Sequence, residues 1–160
     1  MLQRVQSIFL GLVFISMILS VLSGHWQKFD DNSDQSAHLS AIKLVHYNDI
    51  NQNDVNSESW TFYIAIVSLL AAGVAVYSTF AYKKRLTQIK LGALNSLLMG
   101  GALGLSVYFS LQGQELFDPN IKGAYGVGFY SIFAALIFNL LANRFIRRDE
   151  QLVRSVDRIR

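Results

Sequence analysis

The sequence predicts an all-α fold, an integral membrane four-helix bundle with a longer first loop, and three observations carry that expectation. Four runs contain no Lys, Arg, Asp, Glu or His: Val5 to Gly24, Ser59 to Tyr82, Leu91 to Gln114 and Gly123 to Asn143. A hydrocarbon core about 30 Å thick needs roughly 20 apolar residues at 1.5 Å rise each, so every run suffices. The charged residues fall between the runs, leaving the backbone inside them to bond within its own helix. The third observation is the uneven division of basic residues among the segments between runs.

Of 14 Lys and Arg, eleven fall on one side: Arg4, the second-loop Lys83, Lys84, Arg85 and Lys90, and the C-terminal Arg144, Arg147, Arg148, Arg154, Arg158 and Arg160. Only Lys28 and Lys43 of the first loop and Lys122 of the third lie opposite. The positive-inside rule therefore puts both termini and the second loop in the cytoplasm. It also accounts for a sequence pI near 9.3 without invoking nucleic acid. With 160 residues, 52% apolar, the chain has no room for a second globular domain beside the spans. The absence of cysteine excludes thiol nucleophiles, disulfides and cysteine-ligated metals.

The first span is expected at 5–24. Arg4 and Val21-Leu22-Ser23 also fit a cleavable leader, but the apolar stretch exceeds the ~7–15 residues of a signal core, so it reads as a span. The others are expected at 60–82, 91–111 and 124–145. Small residues recur every four positions: Ser16, Ser20 and Gly24 in the first run, Ala71, Ala75 and Thr79 in the second, Gly92, Ser96, Gly100 and Gly104 in the third. Such stripes let helices approach closely where lipid supplies no hydrophobic drive. Packing within the chain is the favoured use; dimerisation through Gly100 and Gly104 is the alternative.

Asn95, Asn139 and Asn143, with Gln6 and Ser7, form an inner polar belt near the cytoplasmic ends of the spans. A buried amide without a partner costs several kcal/mol, so these side chains should bond across helices. No Asp, Glu, His, Lys or Arg lies within an apolar run to mark a proton or ion path. The belt reads as interhelical glue in preference to a transport site.

In the first loop, Leu39 to Tyr47 suits either a short strand or an interfacial helix. His25, His38 and His46 match no metal-ligand spacing. Trp26 and Trp60, with Tyr63, Tyr108, Tyr125 and Tyr130, are expected as an interfacial aromatic belt. The third loop holds the only proline, Pro119, and Gly123, Gly126 and Gly128, which lack the order of a phosphate-binding loop. Residues 146–160 read as a cytoplasmic amphipathic helix, with Leu152, Val153, Val156 and Ile159 on one face. Lys83, Lys84, Arg85, Arg147, Arg148, Arg154 and Arg158 are the candidates for protein docking or contact with anionic lipid headgroups.

Three segments carry a likeness: Met1 to Ile8 (MLQRVQSI), Tyr82 to Leu91 (YKKRLTQIKL) and Asn143 to Arg158 (NRFIRRDEQLVRSVDR). In these the chain resembles an uncharacterised family of four-span membrane proteins from Bacteroidota, domain of unknown function 4293. The resemblance implies the inner membrane of a diderm bacterium, which makes the longer first loop periplasmic. It brings no activity, cofactor or catalytic residue. The expected function is a non-catalytic accessory or assembly subunit of an inner-membrane protein complex. The alternative is a small homo-oligomeric transporter or channel; an enzyme, a metal, a cofactor and a nucleic-acid partner are not expected.

Overall fold

The computed structural model of the chain describes residues 2–30, 34–50, 52, 54–81, 85–118 and 120–157. Four helices form, α1 (Leu2–Leu22), α2 (Tyr63–Phe80), α3 (Arg85–Gln114) and α4 (Val127–Asp157). Each is long and apolar enough to cross a membrane. Helix α1 packs against α2 and α4, α2 against α3, and α3 against α4, which closes the ring. Its centre is built from small and flexible side chains: Val13 and Met17 of α1, Ala71, Ala72 and Ala75 of α2, Met99 and Ala102 of α3, Ile132 and Ala135 of α4. The three alanines bring the α2 backbone close to its neighbours, where dispersion contacts between tightly fitted surfaces hold the bundle.

The larger apolar side chains point the other way. Ile15, Leu69, Leu70, Leu97, Leu111, Phe133 and Leu140 are all exposed on the outside. At most 33% of the residues in each apolar stretch are buried within the protein, so the outer surface of the ring is itself apolar. A helix that is apolar all round suits a lipid surround.

The all-α expectation is corrected by a five-stranded antiparallel sheet at one end of the ring. Its strands are β1 (Trp26–Asp30), β2 (Gln35–Leu39), β3 (Lys43–Tyr47), β4 (Val55–Trp60) and β5 (Ala124–Tyr125), in the order β4-β3-β2-β1-β5. The stretch Leu39 to Tyr47 takes the strand alternative, not the helix: it ends β2, turns at Ser40–Ile42 and forms the short strand β3. Ser40 shapes that turn, its hydroxyl donating to the Lys43 carbonyl at 2.9 Å. Trp60 belongs to β4, and residues 124–125 to β5, so α2 and α4 begin later than their apolar runs. Helix α4 carries residues 146–157 as its own continuation. The amphipathic face expected from Leu152, Val153, Val156 and Ile159 lies outside the described side chains.

Alternation in β1 buries Trp26, Lys28 and Asp30 and exposes Gln27 and Phe29. The buried side joins Ala37 and Leu39 of β2 and Leu44 of β3 over Ile64 and Ala65 of α2, with Leu105 and Phe109 of α3 and Phe117 beyond it at the rim. His46 of β3 stacks on the Phe117 ring at 5.1 Å. Strand β4 bulges opposite His46/Tyr47, and the Asn56 amide sits 3.3 Å from His46 Nδ1.

Candidate functional site

At the sheet end, the chain leaving α1 locks into the far end of α3 and the third loop through three side chains. His25 is fully buried, with Nε2 3.0 Å from the Ser20 carbonyl and Nδ1 2.9 Å from Ser106 Oγ. A neutral ring donates through Nε2 to the Ser20 carbonyl, and its Nδ1 competes with the Ala102 carbonyl, 2.9 Å from that Oγ, for the single Ser106 hydroxyl proton. Burial pushes this imidazole below the usual histidine range, the Ser20 bond partly offsetting it. Trp26 is 4% exposed, against the backs of Gly113 and Gly123; a Cβ on Gly123 would lie 2.2 Å from the indole. Trp26 is therefore a core residue, which corrects its expected place in the aromatic belt. Trp60, Tyr63, Tyr108, Tyr125 and Tyr130 are exposed.

Lys28 is 1% exposed, and its ammonium donates to the carbonyls of Gln114, Phe117 and Asp118 at 2.8, 2.8 and 2.9 Å. The same charge stands 4.3 Å over the Phe117 ring. The Gln114 carbonyl ends the last turn of α3 and the other two follow it, where unpaired acceptors and the negative helix end favour a cation. Burial lowers the Lys28 pKa, with the Asp118 and Asp30 charges partly restoring it. Gln114 closes the loop from the other side, donating to the Ile121 carbonyl and accepting from Gly123 N.

The opposite end holds the polar belt. Asn139 is fully buried and its Nδ2 donates to the Gly92 carbonyl at 2.9 Å and to Ser96 Oγ at 2.8 Å. Gln88 donates to the Ser78 carbonyl at 2.8 Å. Asn95 is 1% exposed, yet neither its amide nitrogen nor its oxygen meets a partner among the described residues. Asn143 packs on Gly92 so closely that a Cβ there would lie 1.8 Å from its Oδ1. The buried polar side chains of the four helices, among the described residues, are all Ser, Gln or Asn.

Beside the belt a cleft of about 800 Å³ opens between α3 and α4, with Ala93 and Ser96 on one wall and Leu140, Asn143, Arg144, Arg147, Arg148 and Gln151 on the other. Arg85 is not in it: its guanidinium pairs with Asp149, tying the first turn of α3 to the α4 extension. Lys83, Lys84, Arg158 and the Arg154 side chain lie outside the described residues. Ser20 is buried and Ser16 half-buried. The third-run glycines part company: Gly92 meets Asn143, whereas Gly100 and Gly104 are exposed, and a Cβ added to either would meet no atom within 4 Å. Those two glycines face outward, away from the other helices of the chain.

The histidines serve three separate neighbourhoods, His38 lying 3.1 Å from Gln52 on the outer sheet face. Among the described residues no three His, Asp or Glu converge to hold a metal. A family model described as a domain of unknown function, DUF4293, matches residues 2–159. The chain belongs to the DUF4293 family. Comparison with curated proteins finds no match. The matched segment of this DUF4293 chain includes all four helices, the whole sheet and the arginine-lined cleft, so none of them is an appendage to the family domain. Lys28 and His25 are the residues that sequence reasoning missed. The signal was available: alternation through Trp26-Gln27-Lys28 sets Lys28 on the same side as a buried Trp.

Proposed function

We propose that this DUF4293 protein is a non-catalytic accessory or assembly subunit of a complex in the bacterial inner membrane. In this reading the sheet faces the periplasm, and the arginine end with both termini faces the cytoplasm. Strand β4 carries the proposal: all six of its residues are exposed, and it is the outer strand of a sheet otherwise seated on the bundle. An open strand edge offers a row of backbone donors and acceptors on which an extended segment of a partner can add.

A photo-crosslinking residue in place of Ser57 tests this in intact membranes. The expected result is one stoichiometric adduct with another membrane-complex protein, which also follows the chain through mild detergent. A chain that stays alone in crosslinked membranes and in several gentle extractions overturns the proposal. The exposed Gly100 and Gly104 favour a second reading, lateral self-association as a homo-oligomeric transporter. A homo-oligomeric mass together with solute flux in proteoliposomes would select that reading.

A further inference from the structure

Along the cleft between α3 and α4 the chemistry changes in one direction. The two helices run antiparallel, so the deep part of the wall is Ser96 facing Leu140, the middle is Ala93 facing Asn143, and the outer part is Arg144, Arg147, Arg148 and Gln151. Leu140 is exposed and continuous with the apolar outer surface of the bundle. The three guanidiniums are exposed, and neither the Lys43–Glu58 ion pair of the sheet nor the Arg85–Asp149 pair engages one of them. Of the neighbouring acids, Asp149 is engaged by Arg85, and Glu150 lines the flank with Arg147, Leu86 and Ile89 rather than the cleft itself.

Three positive charges clustered where the apolar run of α4 stops, beside an apolar wall open to the side, complement an amphiphile with an anionic head. Guanidinium is suited to phosphate, because its planar fork matches the oxygens with paired, charge-assisted hydrogen bonds. A soluble phosphate would use the outer part of the cleft and leave the Leu140 and Ala93 part without a function. A protein segment would meet an opening that faces the same surround as the apolar helix surfaces.

We propose that this cleft is a binding site for an anionic phospholipid, the phosphate held by Arg144, Arg147 and Arg148 and an acyl chain lying past Ala93 and Leu140. The site requires the helices to stand in a bilayer but is independent of the partner complex. Lipid at this position fills the groove between α3 and the α4 extension, and adds a third link between two helices that Asn139 and Arg85 already join.

The test uses the full chain in a non-ionic detergent, titrated with dioleoyl phosphatidylglycerol, with phosphatidylcholine of the same acyl chains, and with sodium phosphate. Lipid retention is read by native mass spectrometry and the thermal midpoint by unfolding. Phosphatidylglycerol is expected to bind at one saturable site and raise the midpoint. The combined variant R144Q/R147Q/R148Q should weaken binding about tenfold or more, since each basic residue contributes to attraction of an anionic headgroup. Ala93→Phe, which fills the apolar wall and leaves the charges, should weaken it as well, while Lys90→Gln, an exposed cation of the same end outside the cleft, should change it by less than about twofold. All these positions are exposed, so folding is preserved. Equal retention of phosphatidylcholine, an unchanged affinity in the triple variant or in Ala93→Phe, or equal stabilisation by sodium phosphate overturns the site.

Discussion

Lys28 Nζ lies 2.8 Å from the carbonyl oxygen of Gln114, joining the first strand of the sheet to the end of a helix 86 positions away. With the Phe117 and Asp118 carbonyls it completes a cage of main-chain acceptors around a buried charge. Lys28→Met keeps most of the stem but strands those carbonyls. The expected cost is about 2–5 kcal/mol, the scale for losing charge-assisted hydrogen bonds and leaving buried acceptors unpaired. A loss below about 1 kcal/mol in detergent unfolding would show that the carbonyls find other donors.

Acidification should loosen the sheet end. The imidazoles of His25, His38 and His46 are all shifted below the ordinary histidine value by burial, with the Lys28 charge adding to the effect at His46. As pH falls through that ordinary value, about 6.5, the unfolded chain takes up protons before the folded chain does. Stability therefore declines across the window down to the lowered folded values, and no further from this cause below it. The thermal midpoint should drop between about pH 7.5 and about pH 5.5, less steeply in His25→Gln. A flat or rising midpoint over that range contradicts the linkage.

The indole slot of Trp26 makes a local prediction. Gly123→Ala places a methyl where the ring already stands, and the surrounding sheet and α3 limit its retreat. About 1–3 kcal/mol should be lost, as for overpacking elsewhere in protein cores. In a Trp60→Phe background the remaining tryptophan emission should shift to the red. An unshifted spectrum at wild-type stability would mean that the slot can widen without cost.

Asn95 and Asn139 should respond differently to the same substitution. Asn139→Leu removes two cross-helix hydrogen bonds and should destabilise by about 0.6–1.7 kcal/mol. Asn95→Leu removes an amide with no protein partner among the described residues and should be neutral or stabilising. If Asn95→Leu costs as much as Asn139→Leu, a bridging water satisfies that amide.

Orientation is tested by single cysteines at Ser57 and Lys90, both exposed and at opposite ends of the bundle. Ser36, though in the same loop as Ser57, is buried and would shield a thiol. On intact spheroplasts an impermeant thiol reagent should label position 57, and position 90 only after lysis. The reverse pattern would invert the proposed topology.

The helices were legible because apolar length is a property of contiguous sequence. The sheet was hidden because its inner face carries Lys28, Asp30 and His46, so a period of two in burial is not a period of two in hydropathy. Strand β4 has no buried side at all, and nothing in Val55 to Trp60 distinguishes it from a polar loop. Spacing grouped Gly92 with Gly100 and Gly104, but straight helices diverge from a four-residue stripe, which at 3.6 residues per turn rotates away from the interface. Gly92 stays under Asn143; the other two have turned outward. The arginines were visible as charge, whereas their meeting with Ala93 and Ser96 across α3 is a tertiary event.

The strand order β4-β3-β2-β1-β5 sets a schedule for biogenesis. Strand β1 is synthesised early, yet the carbonyls that neutralise Lys28 and the short strand that covers its edge come from residues 114–125. A chain that ends after α2 lacks both those carbonyl acceptors for Lys28 and the strand that pairs with the outer edge of β1. The buried charge on β1 and the last edge of the sheet are completed only by residues that follow α3, so the placement of the third helix and the completion of the sheet are coupled.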